Sequence, residues 1–236
     1  MKAIILCAGY ATRLYPLTIN KPKHLLEIKG RPILDYIIDK IPKNMEIILV
    51  TNDKFYNNFE NWTNKQERKI KVLNDGTLSN EDRLGGIGDL YFVIQKEKIN
   101  EDIFVILGDN LSDFDLGKFI DFFNKNKKTS LGVFEFKHTD LTKMGVVEAK
   151  DNKMISFEEK PKIPKSNLAS TGFYIFTKND LNNIKEYMKT DKPKDAPGFL
   201  IKDFFDNGEE IDVFTFTGRW YDIGNKEIYE EVNKIW

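Results

Sequence analysis

The residues best equipped for chemistry sit in one loop near the start of the chain. In LCAGYATRLYPLTINKPKHLL (Leu6–Leu26) an apolar run ends at Gly9, and Thr12, Arg13, Lys21 and Lys23 follow. Glycine lets backbone approach an anion closely, and successive N–H groups in such a turn can cradle it. Fixed cations beside the turn suit a polyanion such as a triphosphate, whereas an ordinary tight turn in a solvated charged loop is the plainer alternative. Pro16 and Pro22 restrict their own backbone and that of the residue before them, which predicts extended geometry around the basic trio.

Carboxylates at two other loops would complete the chemistry. Asp109 in VILGDN follows an apolar strand, and Asp222 in RWYDIGN stands at the end of another and is followed by a glycine. Mg²⁺ prefers oxygen ligands and keeps phosphates and waters as its remaining partners, so Asp109 and Asp222 are the expected metal pair. Asp75, Asp82, Asp113 and Asp115 compete for the role on sequence alone. The Walker pattern is absent, and the dinucleotide fingerprint fails because Ala11 follows Gly9 where a second glycine belongs. His24 reads as a packing or surface residue, and His138 carries no assignment.

These loops need a scaffold. Ala3–Cys7, EIILVT, KIKVLN and DIFVILGDN read as buried strands, since they are short continuous apolar runs. RPILDYIIDKIP, KFYNNFENW, GGIGDLYFVIQKE and DLGKFIDFFNKNK alternate with them as helices. Strand–helix alternation predicts a doubly wound, mostly parallel, Rossmann-like α/β sheet. Ligands of such sheets bind outside the carboxyl ends of the strands, where the loops after Cys7 and Leu107 both lie. After Thr129 the pattern changes to short strands, SLGVFEF, GVVEAKDNKMISFEEKP and SNLASTGFYIF, with a turn at Asp151–Asn152, which predicts an antiparallel insert or edge. Helices at 180–188 and 199–205, a strand at 211–216 and a final helix complete a single domain over 1–236.

Composition excludes several classes. Basic residues number 36 and acidic 37 among 236, so no overall charge points to nucleic acid or a membrane surface. The apolar share of 41% and charged share of 31% fit a soluble globular chain. The single cysteine, Cys7, lies in an apolar run and reads as a core residue of a protein in a reducing compartment. The first apolar run is too short for a signal peptide or a membrane span, so a cytoplasmic location is expected.

The motifs together resemble the sugar-1-phosphate nucleotidyltransferases, the nucleotide-sugar pyrophosphorylases. ILCAGYATRLYPLT…KPK is similar to that family's opening signature. LGGIG (84–88), GDN (108–110), GVVE (145–148), FEEKP (157–161), STGFYIF (170–176) and WYDIG (220–224) follow in the family's order. The segment GVVEAKDNKMISFEEKPKIPKSN looks most like the glucose-1-phosphate thymidylyltransferase branch. The resemblance implies the nucleotide-diphospho-sugar transferase fold and a reaction in which NTP and a sugar-1-phosphate give an NDP-sugar and pyrophosphate, assisted by Mg²⁺. By the same resemblance Arg13 and Lys23 neutralise the triphosphate, and Asp109 and Asp222 ligate the metal, Asp109 also touching substrate. Leu6, Ala8, Gly9, Thr12, Gly85 and Gly86 border the nucleotide. Lys160 takes the sugar phosphate, and Gly145, Glu159, Thr171 and Gly172 line the sugar pocket. Residues 1–128 would form the nucleotide half and 129–236 the sugar-phosphate half; whether the chain assembles as a homo-oligomer is left open.

Departures from the family pattern are specific. Ala11 replaces the usual second glycine, Tyr10 adds bulk at the loop tip, and NDGTLSNEDRLGG replaces a glutamine–proline run near the base. In that stretch Asn74, Thr77, Asn80 and Asp82 could each meet a base edge. APGFLIKD stands where many relatives carry an acidic segment. The chain ends at Trp236, so the left-handed β-helix of acetyltransferase-fused relatives is not expected. The alternatives are a cytidylyltransferase acting on phosphocholine or a similar small phosphate, a non-catalytic nucleotide-sugar-binding regulatory protein, and, least fitting, a dinucleotide-dependent oxidoreductase.

Overall fold

The apolar runs alternate their side chains between two faces, and both faces are covered. A computed structural model describes residues 1–137 and 140–236, so His138 lies outside the described residues. The first half contains β1 (Lys2–Leu6), a hairpin of β2 (Glu27–Ile28) and β3 (Arg31–Pro32), α1 (Ile33–Ile38), β4 (Ile47–Thr51), α2 (Tyr56–Thr63), β5 (Ile70–Asn74), α3 (Gly85–Lys96), β6 (Ile103–Leu107), β7 (Asn110–Ser112) and α4 (Leu116–Asn126). The second half contains β8 (Ser130–Glu135), β9 (Gly145–Lys150), β10 (Lys153–Glu159), β11 (Leu168–Phe176), α5 (Asp180–Met188), α6 (Gly198–Asp206), β12 (Asp212–Phe216), β13 (Trp220–Asp222) and α7 (Lys226–Ile235).

Nine strands form one sheet in the order β5-β4-β1-β6-β11-β8-β12-β10-β9. The four strands that the first half gives to this sheet, β5, β4, β1 and β6, run parallel. β11 then pairs antiparallel with both β6 and β8, and β9 and β10 make the antiparallel edge. Along β1, Ala3, Ile5 and Cys7 enter a core shared with residues of α1, α2 and α4, while Ile4 and Leu6 enter a second core shared with residues of α3, α5 and α6. The sheet is therefore doubly wound over its parallel part, with the antiparallel addition the change of pattern predicted. The β9–β10 turn falls at Asp151 and Asn152, both with positive φ, as a two-residue hairpin of this hand requires.

Many of the phenylalanines fill the first core. Phe114 stacks on Phe216 at 4.3 Å, and Phe104, Phe119 and Phe173 pack around them. None of the helices among the described residues is long and apolar enough to cross a membrane.

β11 carries the joint between the two halves. Its last four residues pair with β6 and its first residues with β8 and β9, with a register shift between Ser170 and Tyr174. Gly172 occupies the shift at φ +76°, and a Cβ there would lie 2.5 Å from Asn110 Nδ2 and 2.9 Å from Leu107 Cδ1. Left-handed backbone and close approach both demand glycine. Gly172→Ala is expected to cost about 3 kcal/mol of stability, from strain and overpacking together, read by urea denaturation with an unchanged slope.

Candidate active site

The site forms where β1 and β6 end side by side. Leu6 pairs with Leu107, and the Gly108 N–H donates to the Leu6 carbonyl at 3.1 Å. The loops after both strands must therefore leave the sheet together. The loop after β1 is anchored behind: Asn52, fully buried just past β4, donates from Nδ2 to the Ala8 carbonyl at 2.8 Å and accepts the Phe55 N–H. Ala11 sits at φ 49°, ψ 43° and its carbonyl accepts from Leu14 N and Thr18 Oγ1. That left-handed position explains why glycine is usual there.

The basic loop is not extended throughout. Tyr15 and Pro22 are, with ψ of 141° and 143°, but Arg13 lies in a 3₁₀ turn (Thr12–Leu14) and Lys23 in another (Lys23–Leu25). Restriction by proline governs only the residues it touches. The second turn aims Lys23 Nζ at Asp109 Oδ2, 2.5 Å away. Lys21 is turned elsewhere and pairs with Glu27 in the open.

Asp222 reaches Asp109 through a two-stranded pairing that no sequence period reveals. β13 runs antiparallel to β7 with Asp222 opposite Asn110, and Ile223 N donates to the Asp109 carbonyl at 3.3 Å. Asp222 is exposed to solvent along part of its side chain, and protein packs around the carboxyl. Burial and the Asp109 carboxylate push Asp222 up to about 6, against the pull of Lys23, Arg13 and Lys160. Burial alone would raise Asp109, but Lys23 outweighs it and holds that carboxyl below its ordinary range. Burial likewise pulls Lys23 down, and Asp109 with Asp222 more than restores it. Three cations and two carboxylates that are remote in sequence therefore share one electrostatic centre.

The other aspartates are committed elsewhere. Asp82 accepts the Leu78 and Ser79 N–H groups, Asp113 pairs with Arg219, Asp115 caps α4, and Asp75 bonds Thr77. His24 is buried 5.9 Å from the Phe59 ring, a packing residue pushed down to about 3 by burial and by Lys23.

Glu159, Lys160, Gly145 and Gly172 lie at the second-half side. Glu159 pairs in register with Gly145, and a Cβ on Gly145 or Gly198 would stand 3.0 or 2.6 Å from Glu159 Oε2. Those glycines open the space into which Glu159 folds, and burial raises its pKa. Lys160 follows at φ 52°, its side chain largely exposed and 3.8 Å from Glu159. The Thr171 hydroxyl donates to the Gly132 carbonyl within the sheet. Tyr174, bonded to Ser170 at 3.0 Å, lies within electrostatic reach of Glu159 and Asp109; it and Asn110 lie in the STGFYIF and GDN motifs without a role assigned there, and Asn52 carried no assignment, although each is a polar residue in or beside an apolar strand. Gly85 and Gly86 pack against 194–197, and the N–H groups of Gly86 and Ile87 donate to the Asp195 and Lys194 carbonyls at 3.0 and 2.9 Å. Tyr10 is buried beneath the loop rather than standing at its tip.

The comparisons with known proteins place this fold in a family. The chain matches the nucleotidyl transferase family over residues 2–235 and belongs to it. A Sulfolobus acidocaldarius protein provisionally named a mannose-1-phosphate guanyltransferase is 30% identical over 99% of this chain and 62% of its own length. The bifunctional protein GlmU of Methanococcus aeolicus is 35% identical over 95% of this chain and 51% of its own. The chain thus spans roughly half to three-fifths of these relatives. The crystal structure of a Bacillus anthracis protein, provisionally titled a glucose-1-phosphate thymidylyltransferase and bound to sucrose, superposes with TM-score 0.77 at 26% identity, covering 100% of this chain and 94% of that one.

Removing one member of a partly buried ion pair strands the other. Lys23→Met is expected to lower stability by about 2 kcal/mol, and adding Asp109→Asn should recover at least half of that loss. A denaturation cycle over the four proteins measures the coupling.

Proposed function

We propose that this chain is a sugar-1-phosphate nucleotidyltransferase, joining NTP to a sugar-1-phosphate with release of pyrophosphate. The observation that carries the reading is the Lys23–Asp109 pair at the ends of β1 and β6, with Asp222, Arg13 and Lys160 in electrostatic reach of one another. In-line attack of a phosphate oxygen on the α-phosphorus needs no protein nucleophile; positioning and charge stabilisation suffice. Arg13 and Lys23 neutralise the triphosphate and the departing pyrophosphate. Lys160 holds the attacking phosphate, and Glu159, buried beside Gly145, accepts from sugar hydroxyls. Residues 1–128 serve the nucleotide and 129–236 the sugar phosphate.

Asp109 and Asp222 fit Mg²⁺. Their oxygens are hard donors, and burial together with the Asp109 charge raises the pKa of Asp222, a cost that a cation between them would relieve. Among the described residues no three acidic, histidine or cysteine side chains converge, which suits an ion that draws its other ligands from phosphate and water. When bound, the metal would supply charge neutralisation at the reacting phosphates. The relatives' names differ in both base and sugar, so neither is carried over to this chain.

The test is pyrophosphate release from each common NTP with a panel of sugar-1-phosphates and with phosphocholine. Turnover with a sugar phosphate and Mg²⁺ is expected, and release with phosphocholine alone would overturn the reading. Arg13→Ala should lower kcat by roughly two to three orders of magnitude. Asp109→Ala should abolish Mg²⁺-dependent turnover. Lys160→Ala should raise KM for the sugar phosphate far more than KM for NTP.

A further inference from the structure

Two buried carboxylate oxygens on the nucleotide side have no donor. Asp89, on the second turn of α3, is 6% exposed. Its Oδ1 and the Oδ2 of Asp75 are buried and receive no hydrogen bond from any of the described residues. The two carboxyls lie close enough for a proton on one to bond the other. Two ionised carboxylates cannot do so, but one proton between them satisfies both orphan oxygens.

The pair does not stand alone. Asp75 Oδ1 accepts from Thr77 N at 2.7 Å and from Thr77 Oγ1 at 2.8 Å. Thr77 Oγ1 in turn accepts from the Tyr10 hydroxyl at 3.3 Å. Tyr10 and Thr77 are both about as buried as Asp89, and the Tyr10 ring packs against Phe55. A chain of hydrogen bonds thus runs from α3 to the loop after β5 and on to the loop after β1. These segments flank the positions assigned to the nucleotide above.

We propose that Asp89 and Asp75 share a proton and, through Thr77 and Tyr10, form the positioning unit that sets the loop after β1 against α3 for the nucleotide. This rests on the function proposed above and deepens it: these are positioning residues, not groups that touch the reacting atoms. Around the pair, the Cys7 thiol on the β1 side feels Asp89, and Tyr10 feels Asp75, with Asp82 and Asp53 further contributors. No cation acts on Asp89, whose carboxyl burial and the Asp75 charge push up to about 8. Because the folded value lies above the ordinary one, the stability it contributes is present at low pH and is lost as pH climbs towards 8. Above that, two buried carboxylates would face each other and drive α3 from the β5 loop.

The experiment compares wild type with Asp89→Asn, Asp89→Ala and Tyr10→Phe, using melting temperature against pH and calorimetric titration with ATP, GTP, CTP, UTP and dTTP in the presence of Mg²⁺. The side-chain amide introduced by Asp89→Asn would donate its N–H to Asp75 at every pH. Wild type should lose melting temperature progressively as pH climbs towards about 8 and level off above it, and Asp89→Asn should lack that fall. Affinity of wild type for its preferred NTP should drop on the order of tenfold from neutral pH to well above 8. Asp89→Asn should hold its neutral-pH affinity throughout, and Asp89→Ala should be weak at all pH values. Tyr10→Phe, which keeps the ring and the fold, should lose a few-fold. Parallel melting profiles for wild type and Asp89→Asn would overturn the shared proton. Asp89→Ala or Tyr10→Phe binding NTP as tightly as wild type would overturn the positioning role. Wild type binding no NTP would sink the proposed function and the positioning role with it, while the melting profiles would still report the proton.

Discussion

The site depends on one geometric constraint: two parallel strands must release their loops at the same level, close enough for an ammonium on one to touch a carboxylate on the other. Gly108 makes this possible. A Cβ there would lie 2.4 Å from Cys7 Sγ and 3.1 Å from His24 Cδ2, so any larger residue would push the β6 loop away from the β1 loop. The resulting Lys23–Asp109 pair contributes little to stability in net terms, because desolvating both partners offsets most of their attraction. Its value lies in readiness. Each charge is already out of bulk water and already oriented. A polyphosphate and a divalent cation arriving together would give each a new partner of the sign it has now.

Asp222 is brought to the pair from the far end of the sequence, and the fold fastens it from several sides. Its β13 strand is paired to β7, Gly224 N donates to its carbonyl at 2.8 Å, and Asn225 caps α7 immediately after. α7 then docks on the hairpin that follows the basic loop: Lys29 N donates to Asn233 Oδ1, and the Tyr229 hydroxyl donates to the Glu27 carbonyl. Trp236 meets Tyr36 and Tyr221 edge-on while Arg219, itself paired to Asp113, covers its face. The C-terminal helix thus ties the strand that bears Asp222 to the loop that bears Lys23. Holding two carboxylates near each other requires this rigidity, since repulsion would otherwise separate them.

Arg13, Lys23 and Asp109 were legible in the sequence because their chemistry is local, whereas Lys160 came only with the family resemblance. An arginine and a lysine after a glycine turn, and an aspartate just past an apolar strand, announce themselves without a partner in view. The long strands were legible for a similar reason, since a buried parallel strand is a continuous apolar run. What could not be read were the pairings. β2, β3, β7 and β13 have two or three residues each and offer no period, yet β7 and β13 bring Asp222 to Asp109. Gly85 and Gly86 were legible as special, but not the carbonyls of Lys194 and Asp195 that take the N–H groups of Gly86 and Ile87. Asp75 looked like one more metal candidate because nothing in its neighbourhood names Asp89, a turn into the next helix, as its partner.

Cys7 shows how the two carboxylate centres divide the site. Its thiol is raised by burial and then by Asp109 and Asp89, with only Lys23 opposing, so both acidic centres lie within its electrostatic reach. They bury negative charge by different means. Asp109 is offset by the Lys23 ammonium, which on the proposed function exchanges partners when substrate binds. Asp89 is offset by a proton, which occupies no room, competes for no phosphate and leaves the cations near Asp109 uncommitted. On the proposed function, a lysine in place of that proton would put a further positive charge near the nucleotide and compete with Arg13 and Lys23 for phosphate. Neutralising the structural carboxylate with a proton and the functional one with an ammonium lets one end of a single strand support rigidity and exchange side by side.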